Sequence, residues 1–250
     1  MSRLALRLLV PVLLLVLWEA AASGSRQAPR PSAILGKAIA MTASGDLPAG
    51  LGTSIGRVFA GFAVACAVAV PLGIAMGSMP RLERNLDPLV ETFRPIAAIA
   101  ILPLVILWLG TGTASAVAIV AYAAFFPVLV NTIAGVKRVE PSLMRAALTM
   151  GVPAATRMRV VLLPAALPSI LVGMRIGLGI AWTAIIAAEL AVGAKAGGTG
   201  GIGQMMFVFY AYSVELNGIV VCMIAVGIVA LLLDRALREA LARAVPWSRA

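Results

Sequence analysis

Charged side chains inside apolar runs are the first places to look for chemistry in this sequence. An ionisable group in a lipid-like surrounding is costly and is kept where it faces a cavity or a partner. Arg175 and Glu189 both fall in the apolar run 167–192. They are separated by about 21 Å along a helix, too far to pair with each other. Two uses fit them. In one, Arg175 faces a permeation path or an inner gate and Glu189 an outer gate; in the other, each pairs structurally with another helix. Asn131 and Trp182 lie deep in apolar runs and are candidates for lining the same path, whereas Arg94, nearer the end of a run, reads as structural. Each of these roles is one of transit or packing, with no covalent step.

Other chemistries lack their residues. The chain has no histidine, which removes His-based triads, His-ligated metals and the commonest proton shuttle. Its two cysteines, Cys66 and Cys222, are far apart inside apolar runs and read as small buried hydrophobes, with neither disulfide nor metal spacing. Gly198, Gly200 and Gly203 match a dinucleotide-binding pattern by letter. That pattern needs a strand before it and a helix after it; here an apolar span precedes it, so a flexible loop or re-entrant turn is expected. No phosphate-binding G-x-x-x-x-G-K-[ST] occurs. The reading is a chain without catalytic residues, bound cofactor or metal, and without a recognisable ATP site of its own.

The connection 137–166 is polar, basic and too long for a plain turn. Glu140, Pro141 and Ser142 stop one helix and cap the next, and a short helix over 143–150 is ended by Gly151 and Pro153. Ala146 and Ala147 keep one surface of that helix small enough for another protein to pack closely. A second short helix over 156–163 leads to Pro164 and Pro168. The pair forms a helix–turn–helix knob suited to docking.

The elements that hold these residues are transmembrane helices. Of 250 residues, 62% are hydrophobic and 12% charged, against roughly half and a quarter in soluble domains. Apolar runs occupy 4–22, 55–79, 89–109, 114–136, 167–192 and 216–233, each near the ~20 residues that cross a bilayer. The third is the weakest, interrupted by Arg94, Pro95 and Pro103, and the fourth contains Pro127. Gly52 and Gly56, Gly73 and Gly77, and Gly173 and Gly177 are small-residue pairs that permit close helix approach. The first run, with Arg3 and Arg7 before it and small residues at 20–23, also fits a cleavable signal peptide, but is read as a retained helix. A net charge of +10 reflects arginines at span ends rather than a nucleic-acid surface. Connections holding Arg81, Arg84, Lys137, Arg138, Arg145, Arg157 and Arg159 are far more basic than those with Arg26, Arg30, Lys37 and Lys195. The positive-inside rule then places both termini in the cytoplasm.

At the 137–166 loop the sequence resembles the binding-protein-dependent ABC transporter permeases. Their cytoplasmic loop reads Glu-Ala-Ala, three residues, Gly, nine residues, then Ile-x-Leu-Pro; Ala146, Ala147, Gly151, Val161, Leu163 and Pro164 stand at matching positions. Arg145 reverses the charge of the usual Glu. Further stretches resemble the aliphatic sulfonate, taurine and nitrate subfamily: Trp18 and Glu19, Thr92 to Pro95, Leu102 and Pro103 with Trp108, Phe125 to Pro127 with Asn131, Gly173 to Gly179, Glu189, and Leu232 to Arg235.

The resemblance implies an all-α integral membrane protein with the six-transmembrane-helix fold of a type I ABC importer permease, one domain over 1–250. It also implies a coupling loop, Arg145 to Pro164, that sits in a groove of a cytoplasmic ATPase subunit. The implied partners are a second permease copy, two ATP-binding subunits carrying ATP and Mg, a periplasmic or lipid-anchored solute-binding protein and membrane lipid, all at the bacterial inner membrane. The implied solute is a small oxyanion such as a sulfonate, taurine or nitrate. The alternatives are a pyrimidine- or vitamin-precursor-like solute in the same class of importer, or a secondary transporter. The last would need ion-coupling carboxylates, and Glu189 is the only acidic residue well inside the later spans.

Overall fold

The computed structural model describes residues 3–24, 28–192 and 200–244, which contain helices and no strand. Arg26, Lys195, Gly198 and Thr199 lie outside the described residues. In chain order the helices are α1 (Arg3–Ser23), α2 (Pro31–Ala43), α3 (Asp46–Ser78), α4 (Pro80–Phe93), α5 (Leu102–Leu109), α6 (Thr113–Lys137), α7 (Pro141–Thr149), α8 (Ala154–Arg157), α9 (Leu163–Val192), α10 (Ile202–Val208) and α11 (Leu216–Ala244). Pro31, Pro80 and Pro141 each open a helix at its first position, where a missing N–H costs nothing and a fixed φ favours the turn.

Four stretches are long and apolar enough to cross a membrane: Asp46–Ser78, Thr113–Lys137, Ala154–Ala191 and Leu216–Glu239. The expected third span is the exception. It is a bent pair, Pro80–Phe93 followed by Ala98–Leu109, with an angle of 84° at the break. Pro95 contributes to the break by having no N–H to donate into α4; Arg94 itself keeps helical dihedrals (φ −55, ψ −43), and the chain turns extended at Ala97 (φ −62, ψ 136). Counting the pair as one crossing gives five spans among the described residues. The first expected span falls on α1, whose apolar stretch is Leu13–Ser23.

Two other boundaries differ from the hydropathy pattern. Helix α3 begins at Asp46, nine residues before the apolar run, because its first turns are helical but polar. The expected short helix over 156–163 is not separate: α8, a π-helical turn over Met158–Leu162 and α9 form one continuous stretch. The Leu163 N–H bonds the Met158 carbonyl, an i→i−5 step. That re-registers the ladder just before Pro164, which has no N–H to offer.

The chain divides into two compact units, Met1–Ser54 with Glu189–Val229, and Ile55–Ala188 with Ala230–Ala250. In the second, glycines set the helix seams. A methyl at Gly73 would stand 2.6 Å from Thr132 Cβ and one at Gly77 2.7 Å from Val136 Cβ, while Gly61 meets Val120 in the same way. Residue numbers rise together along this seam, so α3 and α6 are parallel. The chain between them must therefore travel the length of the bundle, which is why the bent pair counts as a crossing. Against α9 the order reverses: Gly135 meets Ser169, Gly173 meets Asn131 and Gly177 meets Val128, so α6 and α9 are antiparallel. Gly52 and Gly56 face open space within 4 Å.

In the first unit, Glu19 caps α2, accepting the Ser32 N–H at 3.0 Å and its hydroxyl at 2.7 Å. Lys37 of α2 pairs with Glu215 at 2.8 Å and lies over the Phe209 ring.

Candidate functional site

The first short helix and its turn appear where the sequence places them, between α6 and the long stretch containing α9. Its turn is a Schellman motif: the Val152 N–H donates to the Ala147 carbonyl at 3.0 Å and the Gly151 N–H to the Leu148 carbonyl at 2.9 Å. Gly151 takes φ +71, the left-handed conformation that this ending requires. Helix α7 has two distinct faces. Ala147 is buried and Met144 packs with Met158 against a core of Val136, Leu162, Ala166 and Ile170. Leu143, Arg145, Ala146, Leu148 and Met150 are exposed. Of the two alanines, then, Ala146 serves the outer face and Ala147 the anchoring one. Val161, Leu163 and Pro164 are half-buried on the neighbouring stretch, where they hold the start of α9.

Further along the same unit, the break after α4 opens a groove of about 450 Å³. Arg94, Tyr122, Phe126, Pro127, Asn131 and Ile180 are among the residues lining it. The Tyr122 hydroxyl donates to the Phe93 carbonyl at 2.7 Å and pins the bend. Asn131 donates its amide to the Pro127 carbonyl at 2.8 Å, four residues back. The groove thus joins Asn131, a sequence candidate, to Arg94, which the sequence reading set aside.

Arg175 and Trp182 lie elsewhere, between α9 and α11. Arg175 grips Asp234 with two bonds, Nε to Oδ1 at 2.6 Å and Nη2 to Oδ2 at 3.0 Å, a bidentate pair. Arg238 donates to the same carboxylate at 2.8 Å. Beside this triad is a small cavity of about 120 Å³, which Trp182 lines while being 3% exposed itself. Of the two uses open to Arg175, its contact is with another helix.

Glu189 belongs to the first unit, at the far end of α9 from Arg175. Its side chain is 3% exposed. The Ser54 hydroxyl contacts both carboxylate oxygens, at 2.8 and 3.0 Å, and the Gly203 N–H donates to Oε2 at 3.0 Å. Ser54 Oγ in turn accepts the Ile202 N–H at 2.9 Å. A buried carboxylate thus caps the N-terminus of α10, satisfying donors that a helix start leaves free. This gives the glycine-rich letters a meaning. A Cβ on Gly201 would stand 1.9 Å from Glu189 Oε1, so glycine is needed for a backbone to approach an anion, and that anion is the protein's own carboxylate.

Sequence reading missed Asp234, Ser54, Tyr122 and the exposure of Arg94 to a groove. Only Asp234 had a usable signal: it stands one residue past the run 216–233, within the stretch Leu232 to Arg235 that carries the resemblance.

Residues 69–245 match the family described as the binding-protein-dependent transport system inner membrane component. Over 245 residues the chain is 39% identical to an ABC transporter permease protein of Methanocaldococcus jannaschii, covering 95% of this chain and 90% of that one. It is 39% identical over 197 residues to the taurine transport system permease protein of Escherichia coli, covering 79% and 70%. An aliphatic sulfonates transport permease protein of Bacillus subtilis is 31% identical over 244 residues, covering 96% and 86%. Among solved structures, an inward-facing methionine ABC transporter shares the fold at a TM-score of 0.66 and 20% identity, over 80% of this chain and 96% of that one. Apolar spans, in a chain that matches this family over most of its length, therefore lead to one conclusion: it belongs to the binding-protein-dependent transport system inner membrane components, as the membrane-spanning permease subunit of an ABC importer.

Proposed function

We propose that this permease forms half of a pore for a small oxyanion, with α7 and its turn as the lever through which a separate ATP-binding subunit works it. The observation that carries the reading is the two-faced geometry of α7. One face is fixed to the α6–α9 core by Ala147 and Met144; the other presents Leu143, Leu148 and Met150 around Arg145 with nothing on them. A partner that moves α7 moves the start of α9 with it, because Met144 and Met158 share a core with Leu162 and Ile170.

Both termini and this lever lie on the cytoplasmic side, a reading that the arginine distribution supports and in which α1 makes the sixth crossing. Two copies build the pore, two ATP-binding subunits sit below, and a binding protein delivers solute on the other side. ATP and Mg bind to the ATP-binding subunits. Closure of those subunits shifts the pore between inward- and outward-facing states, which requires contacts on α7 that differ between the two. The solute class is supported by relatives whose names are those of taurine, aliphatic sulfonate, nitrate and bicarbonate transport permeases.

The test is reconstitution. The chain is co-expressed with its cognate ATP-binding and solute-binding proteins, the complex is placed in proteoliposomes, and uptake of labelled taurine, methanesulfonate, nitrate and bicarbonate is followed with and without ATP. ATP-dependent uptake of at least one is expected. A chain that co-purifies with no ATP-binding subunit, or that takes up solute without one, contradicts the proposal.

A further inference from the structure

We propose that Arg94 is the residue of this chain that contacts the anion as it crosses, in the groove where α4 breaks. The inference rests on the oxyanion reading above and adds to it a place in the path and a chemical reason for the choice of solute.

Position is the first argument. The groove is lined by Tyr122, Phe126 and Asn131 from the middle of α6, and by Ile176 and Ile180 from the middle of α9. Arg94 thus lines a groove bordered by the central turns of two apolar spans. An arginine in such a setting is costly unless it faces a partner or water.

Lack of a partner is the second. Among the described residues the Arg94 guanidinium has no ion pair and no hydrogen bond, and its side chain is exposed. Glu91, one turn earlier, makes no ion pair with it. Arg175 differs: Asp234 answers its charge with a bidentate grip. Arg175 is therefore held as structure, and Arg94 is left with donors to spare.

The backbone supplies the third. Pro127 lacks the N–H that would take the Ala123 carbonyl, and Ala123 lines the same groove. Pro95 breaks the opposite wall. Backbone freed in this way is tolerated at membrane depth where it borders protein or a water-filled cavity. A groove of about 450 Å³ whose one charged lining side chain is an unanswered guanidinium suits a small solute bearing a planar or tetrahedral oxyanion. The guanidinium fork matches such a group in two-bond geometry. Contact with one arginine is weak enough for the ion to leave again, as conduction needs.

The test uses the reconstituted complex and the same four labelled anions. Arg94→Gln is expected to lower uptake about ten-fold, the size of one lost charge-assisted hydrogen bond, while Arg94→Lys retains most of it. A second measurement separates charge from folding. Arg94→Cys, in a Cys66→Ala and Cys222→Ala background, is treated in the membrane with water-soluble thiosulfonate reagents carrying either an ammonium or a sulfonate. Restoration of uptake by the ammonium reagent alone supports the proposal. Equal effects of the two, or a thiol that neither reaches, overturn it. If the unmodified complex moves none of the four anions, the oxyanion reading falls and this inference with it. Uptake by Arg94→Gln at the unmodified rate removes the inference alone.

Discussion

The Ser54 hydroxyl and the Glu189 carboxylate lie 2.8 Å apart, both buried, and together they hold the first turn of α10. The same hydroxyl takes the Ile202 N–H, so it joins a carboxylate to a backbone donor that would otherwise lack a side-chain acceptor. Ser54→Ala leaves those groups short of a partner in a buried site. The expected loss is roughly 1–3 kcal/mol of stability, read as a lower unfolding midpoint in detergent. Gly201→Ala is expected to be worse, because its methyl would overlap the carboxylate. An unchanged midpoint in both variants contradicts the clasp.

Arg175 and Asp234 answer each other across α9 and α11, with Arg238 as a second donor. Asp234→Met alone leaves two arginines facing each other without a countercharge. Replacing Arg175 and Asp234 together by Met removes the conflict. A double-mutant cycle on purified protein should therefore show the pair of changes costing less than the sum of the single ones. Strict additivity denies the pair any energetic role.

Gly151 distinguishes backbone conformation from space. Nothing lies within 4 Å of a Cβ there, so any penalty comes from φ +71 alone. A β-branched side chain in that conformation costs about 1–2 kcal/mol, whereas Asn and Asp visit it readily. Gly151→Val should impair ATP-dependent uptake clearly and Gly151→Asn only slightly, at equal amounts of permease in the membrane. Equal effects would mean that the turn is not what matters.

The α3–α6 seam offers a matched comparison. Gly73→Ala drives a methyl to within 2.6 Å of Thr132, while Gly56→Ala enters open space. Thermal stability in detergent should fall for the first and stay level for the second. The reverse order would overturn the parallel packing of α3 and α6.

Much of this was legible in the sequence, for definable reasons. Apolar run length located the spans, since 1.5 Å per residue against a fixed membrane thickness leaves little freedom. The turn at Gly151 was legible because only one backbone conformation ends a helix that way. Hydropathy had no means of showing that the run 89–109 bends by 84°, because proline and arginine lower a hydropathy average without specifying an angle. The polar start of α3 was hidden for a related reason: Ser54 is buried by a carboxylate from far along the chain, not by apolar neighbours. The partner of Arg175 stands 59 residues away on another helix, beyond any local pattern. Arg94 reads as structural from its place near a run's end, while the break after α4 sets it in a groove with Phe126 of α6 and Ile180 of α9.

The central claim is that α7 is a lever worked from the cytoplasm. Its most direct test is a single cysteine at Leu148, on the exposed face, in a chain without Cys66 and Cys222, probed with a membrane-impermeant maleimide. Labelling in inside-out vesicles and protection in intact spheroplasts, with protection also in vesicles once the ATP-binding subunit is bound, is the expected result. Labelling of intact spheroplasts would put α7 on the outer face and contradict the account.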